Sequence, residues 1–535
     1  MTERVLRNSS YLNGKSTVGT TTRVKDVSPT SGMCPICIRN CPILCEISLS
    51  AFRGREALYP DPSQYGTSTA GALKDFGLDW SDFNIQSDLL SVEGIAADSD
   101  VALFPNVNIE TTVGGIPLKM PVVIGAYGST DVARLNWEGL AIGAALTGII
   151  ITIGENVVGM DPEAQFEKGK VIMSKELKRR IDAFREFWDG KYGEVAVQTN
   201  VEDQRLGVDL YAISNLNVNI IERKWGQGAK AIGGETRIND LSKAIMLKKR
   251  GYLVIPDPED KSVQEAFKDK LFHSFERHSR VGIPNEKSFI EDVEWLREQG
   301  AKKVFLKTGA YRPSVVAFTM KVASEARIDA VTFDGAGGGT GMSPVPMMDE
   351  MSTPTVYLQA QVLKCAEILR KKGRYIPDII MAGGFISETQ IFKSIAMSNF
   401  GDGPYVKAIL MARAPLTAVM KSSYFVELSE KGQLPKAFVD RYGSKPENFF
   451  ASTMELKMKN GERFKRIPWT AVGLYGFLHD RVGVGLQQLM AGARKWKLSL
   501  LNRSDLVSLT ERAKRVTGIP LVDEAEADIM ERMLD

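Results

Sequence analysis

The sequence predicts an α/β chain built on a (β/α)8 TIM-type barrel, with a cysteine-rich segment before it and a helical extension after it. Three observations carry this. Eight short apolar runs recur between residues 121 and 411. Helical periodicities fill most of the gaps between them. Glycines and polar residues follow nearly every run, where the functional loops of such barrels sit. A doubly wound sheet is the competing architecture, and the placement of these polar residues favours the barrel.

Residues 1–32 are rich in Ser, Thr, Gly and Asn and read as an extended arm. Residues 1–100 are expected to form this arm and a small cysteine-bearing module, 101–426 the barrel, and 427–535 a charged helical cap. The expected strands are Pro121–Ala126, Gly148–Thr152, Asn219–Glu222, Tyr252–Ile255, Lys303–Leu306, Ala330–Phe333, Asp378–Met381 and Ala408–Met411. Helices are expected at Ser288–Gln299, Ser314–Ala326, Thr355–Lys372 and Ser387–Met397.

Composition narrows the class. Lys and Arg number 68 against 65 Asp and Glu, so the charge is nearly balanced and does not favour a general nucleic-acid binder. Hydrophobic residues at 44% and charged residues at 25% suit a soluble globular chain. No run approaches the ~20 apolar residues of a membrane span. The start, Met1-Thr-Glu-Arg4, has no apolar signal region, so the expectation is a cytoplasmic enzyme.

Four of the five cysteines, Cys34, Cys37, Cys41 and Cys45, lie within twelve residues. Without a secretion signal, such clustering points to metal rather than disulfides. Zinc sites usually divide their ligands into two separated pairs. Here one short loop supplies all four thiolates, which favours an iron–sulfur cluster; 4Fe-4S is the expected type and zinc the alternative. Cys365 sits in an amphipathic helical run and reads as a half-buried core thiol.

The barrel mouth offers further chemistry. Asp334-Gly-Ala-Gly-Gly-Gly-Thr-Gly-Met-Ser-Pro344 follows one strand and Met381-Ala-Gly-Gly-Phe385 follows the next. Such loops let backbone approach a ligand and present N–H groups to an anion. No P-loop and no convincing dinucleotide fingerprint occurs, so FMN is the expected cofactor. Gly337, Gly338, Gly339, Thr340, Gly341, Gly383 and Gly384 are assigned to it, with Gly125 and Ala126 at the end of the first strand. Lys307 follows a strand and offers a cation to the flavin. Lys224, Gln227 and Lys230 offer cations and an amide to a dicarboxylate, and Glu155 adds a carboxylate after the second strand. His273, His278 and His479 lie off these loops.

Together these residues resemble the central, FMN-binding part of the glutamate synthase large subunit, over roughly residues 90–520. Gln227-Gly-Ala-Lys230 is similar to that family's Gln-Gly-Ala-Lys segment, which helps hold 2-oxoglutarate, and Lys224 matches a lysine there. Gly338-Gly-Thr-Gly-Met-Ser-Pro344 resembles its Gly-Gly-Thr-Gly-Ala-Ser-Pro flavin loop. Gly154-Glu155 resembles its Gly-Glu-Gly-Gly segment, Lys307 its Val-Lys-Leu lysine, and Arg250 stands where the family places a dicarboxylate-binding arginine. There are departures. Lys230-Ala-Ile-Gly-Gly-Glu235 replaces Lys-Pro-Gly-Glu-Gly-Gly. Leu410-Met-Ala-Arg413-Ala replaces Gly-Phe-Gly-Thr-Ala, with Arg413 as the compensating charge. The family's cluster cysteines follow that last strand, and none occurs there in this chain.

The resemblance implies an oxidoreductase that reduces 2-iminoglutarate, formed from 2-oxoglutarate and ammonia, to L-glutamate. Lys224, Lys230 and Arg250 would hold the carboxylates, and the cluster would pass electrons to FMN. It implies an electron donor, ferredoxin or an NAD(P)H-oxidising subunit, and ammonia from solution or a separate glutaminase subunit. An oligomer is expected. Three alternatives stay open: a relative using another amino donor, as in N-methylglutamate synthesis; an electron-relay subunit of a larger flavoprotein; and a flavin-dependent 2-hydroxy-acid oxidase, disfavoured because no histidine follows a late strand.

Overall fold

Eight parallel strands close into a barrel in the computed structural model, which describes residues 74–226, 235–338 and 343–535 together with Arg39 and Ala51. The strands are β1 (Val122–Tyr127), β2 (Ile150–Ile153), β3 (Val195–Thr199), β4 (Ile220–Lys224), β5 (Lys303–Gly309), β6 (Ala330–Asp334), β7 (Asp378–Ala382) and β8 (Val406–Met411). β8 pairs with β1, so no edge is left open. Around them stand α1 (Asp131–Thr147), α2 (Lys175–Arg185), α3 (Val208–Leu216), α4 (Glu286–Glu298), α5 (Pro313–Glu325), α6 (Thr355–Lys371), α7 (Glu388–Met397) and α8 (Arg413–Glu430).

Strand alternation builds two cores from one ring. Val123, Ile150, Ala196, Ile220, Phe305, Ala330, Ile380 and Ala408 belong to a buried cluster inside the barrel. Val195, Ile221, Val304 and Val331, one position along, belong to the larger cluster shared with the helices. A barrel of eight strands is just wide enough for side chains to fill. A hairpin of Thr111–Val113 and Ile116–Leu118 adds Val113 and Leu118 to the inner cluster. Its turn needs glycine: Gly114 has φ +56, and a Cβ there would stand 2.5 Å from the Phe305 ring.

The two ends of the described chain join this core. Phe83–Ile85 pairs antiparallel with Leu506–Ser508. The helix Trp469–Tyr475 packs on α1 where Gly139 and Gly143 leave room; Cβ atoms there would approach Thr470 Oγ1 to 2.5 Å and Leu474 Cδ2 to 2.7 Å. One apolar cluster runs from Leu78 to Ile519, so the expected boundaries at residues 100 and 427 mark no break in it. Cys365 is half-buried on α6. Among the described residues, no helix is long and apolar enough to cross a membrane.

Two expectations about strands are corrected. Tyr252–Ile255 does not enter the barrel. Leu253–Ile255 is an edge strand of a three-stranded antiparallel sheet with Glu235–Ile238 and Phe275–His278, inserted between β4 and β5. The missing barrel strand is β3. The physical difference is burial: β3 is buried at all five positions, as a barrel strand covered on both faces must be, whereas Leu253 and Ile255 are exposed around a buried Val254.

Candidate active site

Toward the C-terminal ends of the strands, the inward-facing residues turn from apolar to polar. β4 carries Ile220, Glu222 and Lys224 on one face; β5 carries Phe305 and Lys307; β6 carries Ala330, Thr332 and Asp334. Lys224 and Lys307 are register partners on neighbouring strands. Like charges so placed repel, and acids offset them. Lys224 Nζ lies 2.5 Å from Glu155 Oε1, and Lys307 Nζ lies 3.6 Å from Asp334 Oδ2. Below them Gln198 Nε2 donates to Glu222 Oε1 at 2.6 Å.

The acids respond differently. Burial pushes the Glu155 carboxyl up, but the charge and hydrogen bond of Lys224 outweigh it, and Glu155 is held at about 2. Burial raises Glu222, with Lys307 opposing. Burial also pushes Asp203 up to about 7, against the pull of two backbone N–H groups.

The Glu155 loop is braced from several sides. Asn156 N donates to both carboxylate oxygens of Asp203 at 3.1 Å, and the Asn156 backbone is left-handed, with φ 62. Asp203 sits at the third position of a helix whose capping box it completes with Asn200. Tyr252 donates its hydroxyl to Asn156 Oδ1 at 3.2 Å. Arg250 donates to the carbonyls of Gly159, Asp161 and Ala164 at 2.9, 2.6 and 3.2 Å.

The loops after β6, β7 and β8 converge. Gly335 N donates to Ala382 O at 2.8 Å, and Thr355 Oγ1 donates to Gly383 O at 2.8 Å. Gly383 and Gly384 have φ of +113 and +80, and a Cβ on Gly337 would stand 2.8 Å from Gly383 O. Arg413, the first residue of α8, places Nη2 3.4 Å from Gly337 O. Burial lowers its pKa, and among the described residues no carboxylate forms an ion pair with it. α8 has no side-chain cap at its start. A partly desolvated cation beside glycine backbone and an uncapped helix N-terminus is a setting that fits a phosphate group.

The structure thus brings Glu155, Lys224 and Lys307 together, and separately Gly337, Gly338, Gly383, Gly384 and Arg413. Gly125 faces β8, where a Cβ would stand 2.7 Å from Leu410 Cδ2, and Ala126 is half-buried beside it. Arg250 departs from the expected carboxylate-binding role: its guanidinium is engaged by three backbone carbonyls and stacks 4.8 Å from the Phe166 ring. Gln227, Lys230, Gly339, Thr340, Gly341 and the four clustered cysteines, Cys34, Cys37, Cys41 and Cys45, lie outside the described residues. The sequence reading missed Gln198, Asp203, Glu222 and Asp334. The alternation Ile220-x-Glu222-x-Lys224 and the Asn200-x-x-Asp203 capping box were the available signals.

Comparison with known proteins agrees with the barrel's motifs. Two archaeal glutamate synthases [NADPH] are similar to this chain. The one from Archaeoglobus fulgidus is 26% identical over 57% of this chain and 48% of its own length. The one from Methanocaldococcus jannaschii is 28% identical over 40% of this chain and 38% of its own length. The chain therefore spans about half the length, or less, of these curated relatives. Among solved structures, a flavocytochrome b2 variant with pyruvate bound covers 89% of this chain and 88% of its own, with 12% identity and a TM-score of 0.46. Residues 272–408, from the inserted sheet's last strand through β5, β6 and β7 into β8, match the family described as the conserved region in glutamate synthase, so this half of the barrel is similar to that region.

Proposed function

We propose that the protein is an FMN-dependent oxidoreductase of the glutamate synthase type, reducing 2-iminoglutarate to L-glutamate. The observation that carries the reading is the pairing of two built features in one barrel mouth. One is the glycine and Arg413 cradle after β6, β7 and β8. The other is the Lys224 and Lys307 pair on adjacent strands, with Glu155 beside them.

In this reading Arg413, Gly337, Gly338, Gly383 and Gly384 hold the FMN phosphate, with Gly339, Thr340 and Gly341 completing the loop. Lys307 gives a positive charge to the flavin ring. When bound, FMN supplies the electron pair that a carbon–nitrogen double bond needs for reduction. Lys224, with Gln227 and Lys230, receives the carboxylates of 2-oxoglutarate. Glu155 stands, ionised, at the lysine that binds substrate. Glu155 and Asp334 balance the lysines, so the mouth carries two cations without an unpaired excess. The cysteines Cys34, Cys37, Cys41 and Cys45 would hold an iron–sulfur cluster, which would supply one-electron transfer to the flavin. Ferredoxin or an NAD(P)H-oxidising subunit delivers them, and ammonia comes from solution or a glutaminase subunit.

The test is anaerobic purification with a visible spectrum, then addition of 2-oxoglutarate and ammonia to the reduced protein. Flavin reoxidation with formation of L-glutamate is expected only when both are present. A flavin that stays reduced with both substrates added sinks the reading. Reoxidation with methylamine but not ammonia redirects it to N-methylglutamate.

A further inference from the structure

We infer that Glu155 is a built-in carboxylate that holds the place of substrate on Lys224 and yields it when a substrate carboxylate arrives. The inference rests on the proposed reading of this mouth as a dicarboxylate site.

The first ground is chemical identity. Lys224 Nζ receives a carboxylate oxygen of Glu155 at 2.5 Å, the contact an incoming dicarboxylate would make. Both ligands are carboxylates, so exchanging one for the other keeps the lysine's charge balanced. The second ground is access. The two partners retain 12% and 25% of their side-chain exposure. The neighbouring Arg223–Asp209 pair retains 2% and 3%, and faces outward under α3 and α4. One pair opens to the mouth and the other is sealed.

The third ground is what can move. The Glu155 backbone is fixed by its neighbours: Gly154 N donates to Tyr127 O at 2.8 Å, Asn156 N to Asp203, and Tyr252 to Asn156. A Cβ on Gly128 would stand 2.8 Å from Glu155 O, so the residue after β1 also packs closely on this backbone. Arg250 ties down the chain beyond, at Gly159, Asp161 and Ala164. The side-chain torsions of Glu155 are the freedom left. A rotation of that side chain opens its contact with Lys224 without moving the loop.

A competitor inside the protein lowers the apparent affinity of the true ligand by the fraction of time the site is open. If Lys224 is released about a tenth of the time, removing the competing charge tightens binding about tenfold. The two partners of one ion pair then respond in opposite directions.

The experiment is calorimetric titration of the purified, FMN-loaded protein with glutarate, a five-carbon dicarboxylate that cannot be reduced. Wild type, Glu155→Gln, Glu155→Asp and Lys224→Gln are compared, with thermal unfolding and flavin content confirming that each is folded. The expected result is about tenfold tighter glutarate binding in Glu155→Gln, weaker binding in Lys224→Gln, and an affinity between wild type and Glu155→Gln in Glu155→Asp, which keeps the competing charge but is one methylene shorter on a fixed backbone. Wild type that binds glutarate while Glu155→Gln binds it no tighter overturns the inference and leaves the dicarboxylate reading standing. Failure of both wild type and Glu155→Gln to bind glutarate overturns the dicarboxylate reading, and the inference with it.

Discussion

Arg413 Nη2 lies 3.4 Å from the carbonyl oxygen of Gly337, so the first residue of α8 reaches the loop that follows β6. Two segments 76 residues apart thus meet at one rim of the barrel. A carbonyl alone is a weak partner for a guanidinium that burial has partly stripped of water, whereas a phosphate is a strong one.

Arg413→Ala should therefore weaken FMN binding. Loss of a charge-assisted hydrogen bond costs about 1.5–3 kcal/mol, or about 10- to 150-fold in affinity. Arg413→Lys should recover part of the loss. Fluorescence titration of the flavin-free protein with FMN measures both, and an unchanged affinity in Arg413→Ala would remove this residue from the cradle.

Gly383→Ala should fail for a different reason. The backbone there is left-handed, with φ +113, and the new Cβ would stand 2.5 Å from Thr355 Oγ1 and 2.8 Å from Gly335 Cα. A strained non-glycine residue costs on the order of 1–3 kcal/mol before any clash is counted. The expected outcome is a lower midpoint in urea and reduced flavin content, compared with Gly373→Ala, which also has a left-handed backbone, with φ +63, but whose Cβ would meet nothing within 4 Å.

Asp203 gives a pH signature. Its carboxyl is pushed up to about 7 in the folded chain from an ordinary value of 3.8, so the folded state holds the proton more tightly than the unfolded one. This contribution to stability is fully present below the unfolded value and is lost as pH rises through about 7. Asp203→Asn cannot titrate, so its stability relative to wild type should improve steadily from about pH 4 to about pH 7. A difference that stays flat across this window would show that Asp203 is not the titrating group.

Arg223 tests the barrel wall. It pairs with Asp209 and Asp292, each at 2.6 Å, and donates to Thr199 Oγ1 at 2.7 Å. Removing one partner of a buried pair typically costs about 3–5 kcal/mol, because the other charge is left without compensation. Arg223→Ala should show this loss in chemical unfolding, and pairing Arg223→Met with Asp209→Leu should restore much of it.

Iron content tests the cysteine cluster. The cysteine spacing predicts about four iron and four sulfide per chain in anaerobically purified protein. Cys37→Ser should lose the iron and keep the flavin. Stoichiometric zinc in place of iron would refute the cluster.

The barrel was legible in the sequence because seven of its strands are short apolar runs followed by glycine or polar residues, a pattern that burial on both faces imposes. β3, Val195-Ala-Val-Gln-Thr199, is just such a run, but by pattern alone Tyr252–Ile255 competes with it for the place in the barrel. An apolar run states that a segment is buried. It does not state which sheet buries it, and the inserted sheet buries only Val254 of its edge strand.

The site divides along the same line. Residue type and local spacing alone marked Lys224, Lys307, Glu155 and the two glycine loops, because cations, carboxylates and glycines at strand ends have few purely structural uses. Only the tertiary structure decided the partners. Lys224 and Lys307 became neighbours through the β4–β5 register, and Glu155 reached Lys224 from two strands away. Arg250, which the family resemblance placed among the substrate ligands, lies on the inserted segment and spends its guanidinium on backbone carbonyls. The physical reason is that a side chain's chemistry is local, whereas the field it meets is set by chain segments that sequence distance does not rank. Asp203 shows it most plainly: an ordinary capping acid by sequence, it titrates near 7 because the fold buries it beside Glu155 and Asp209.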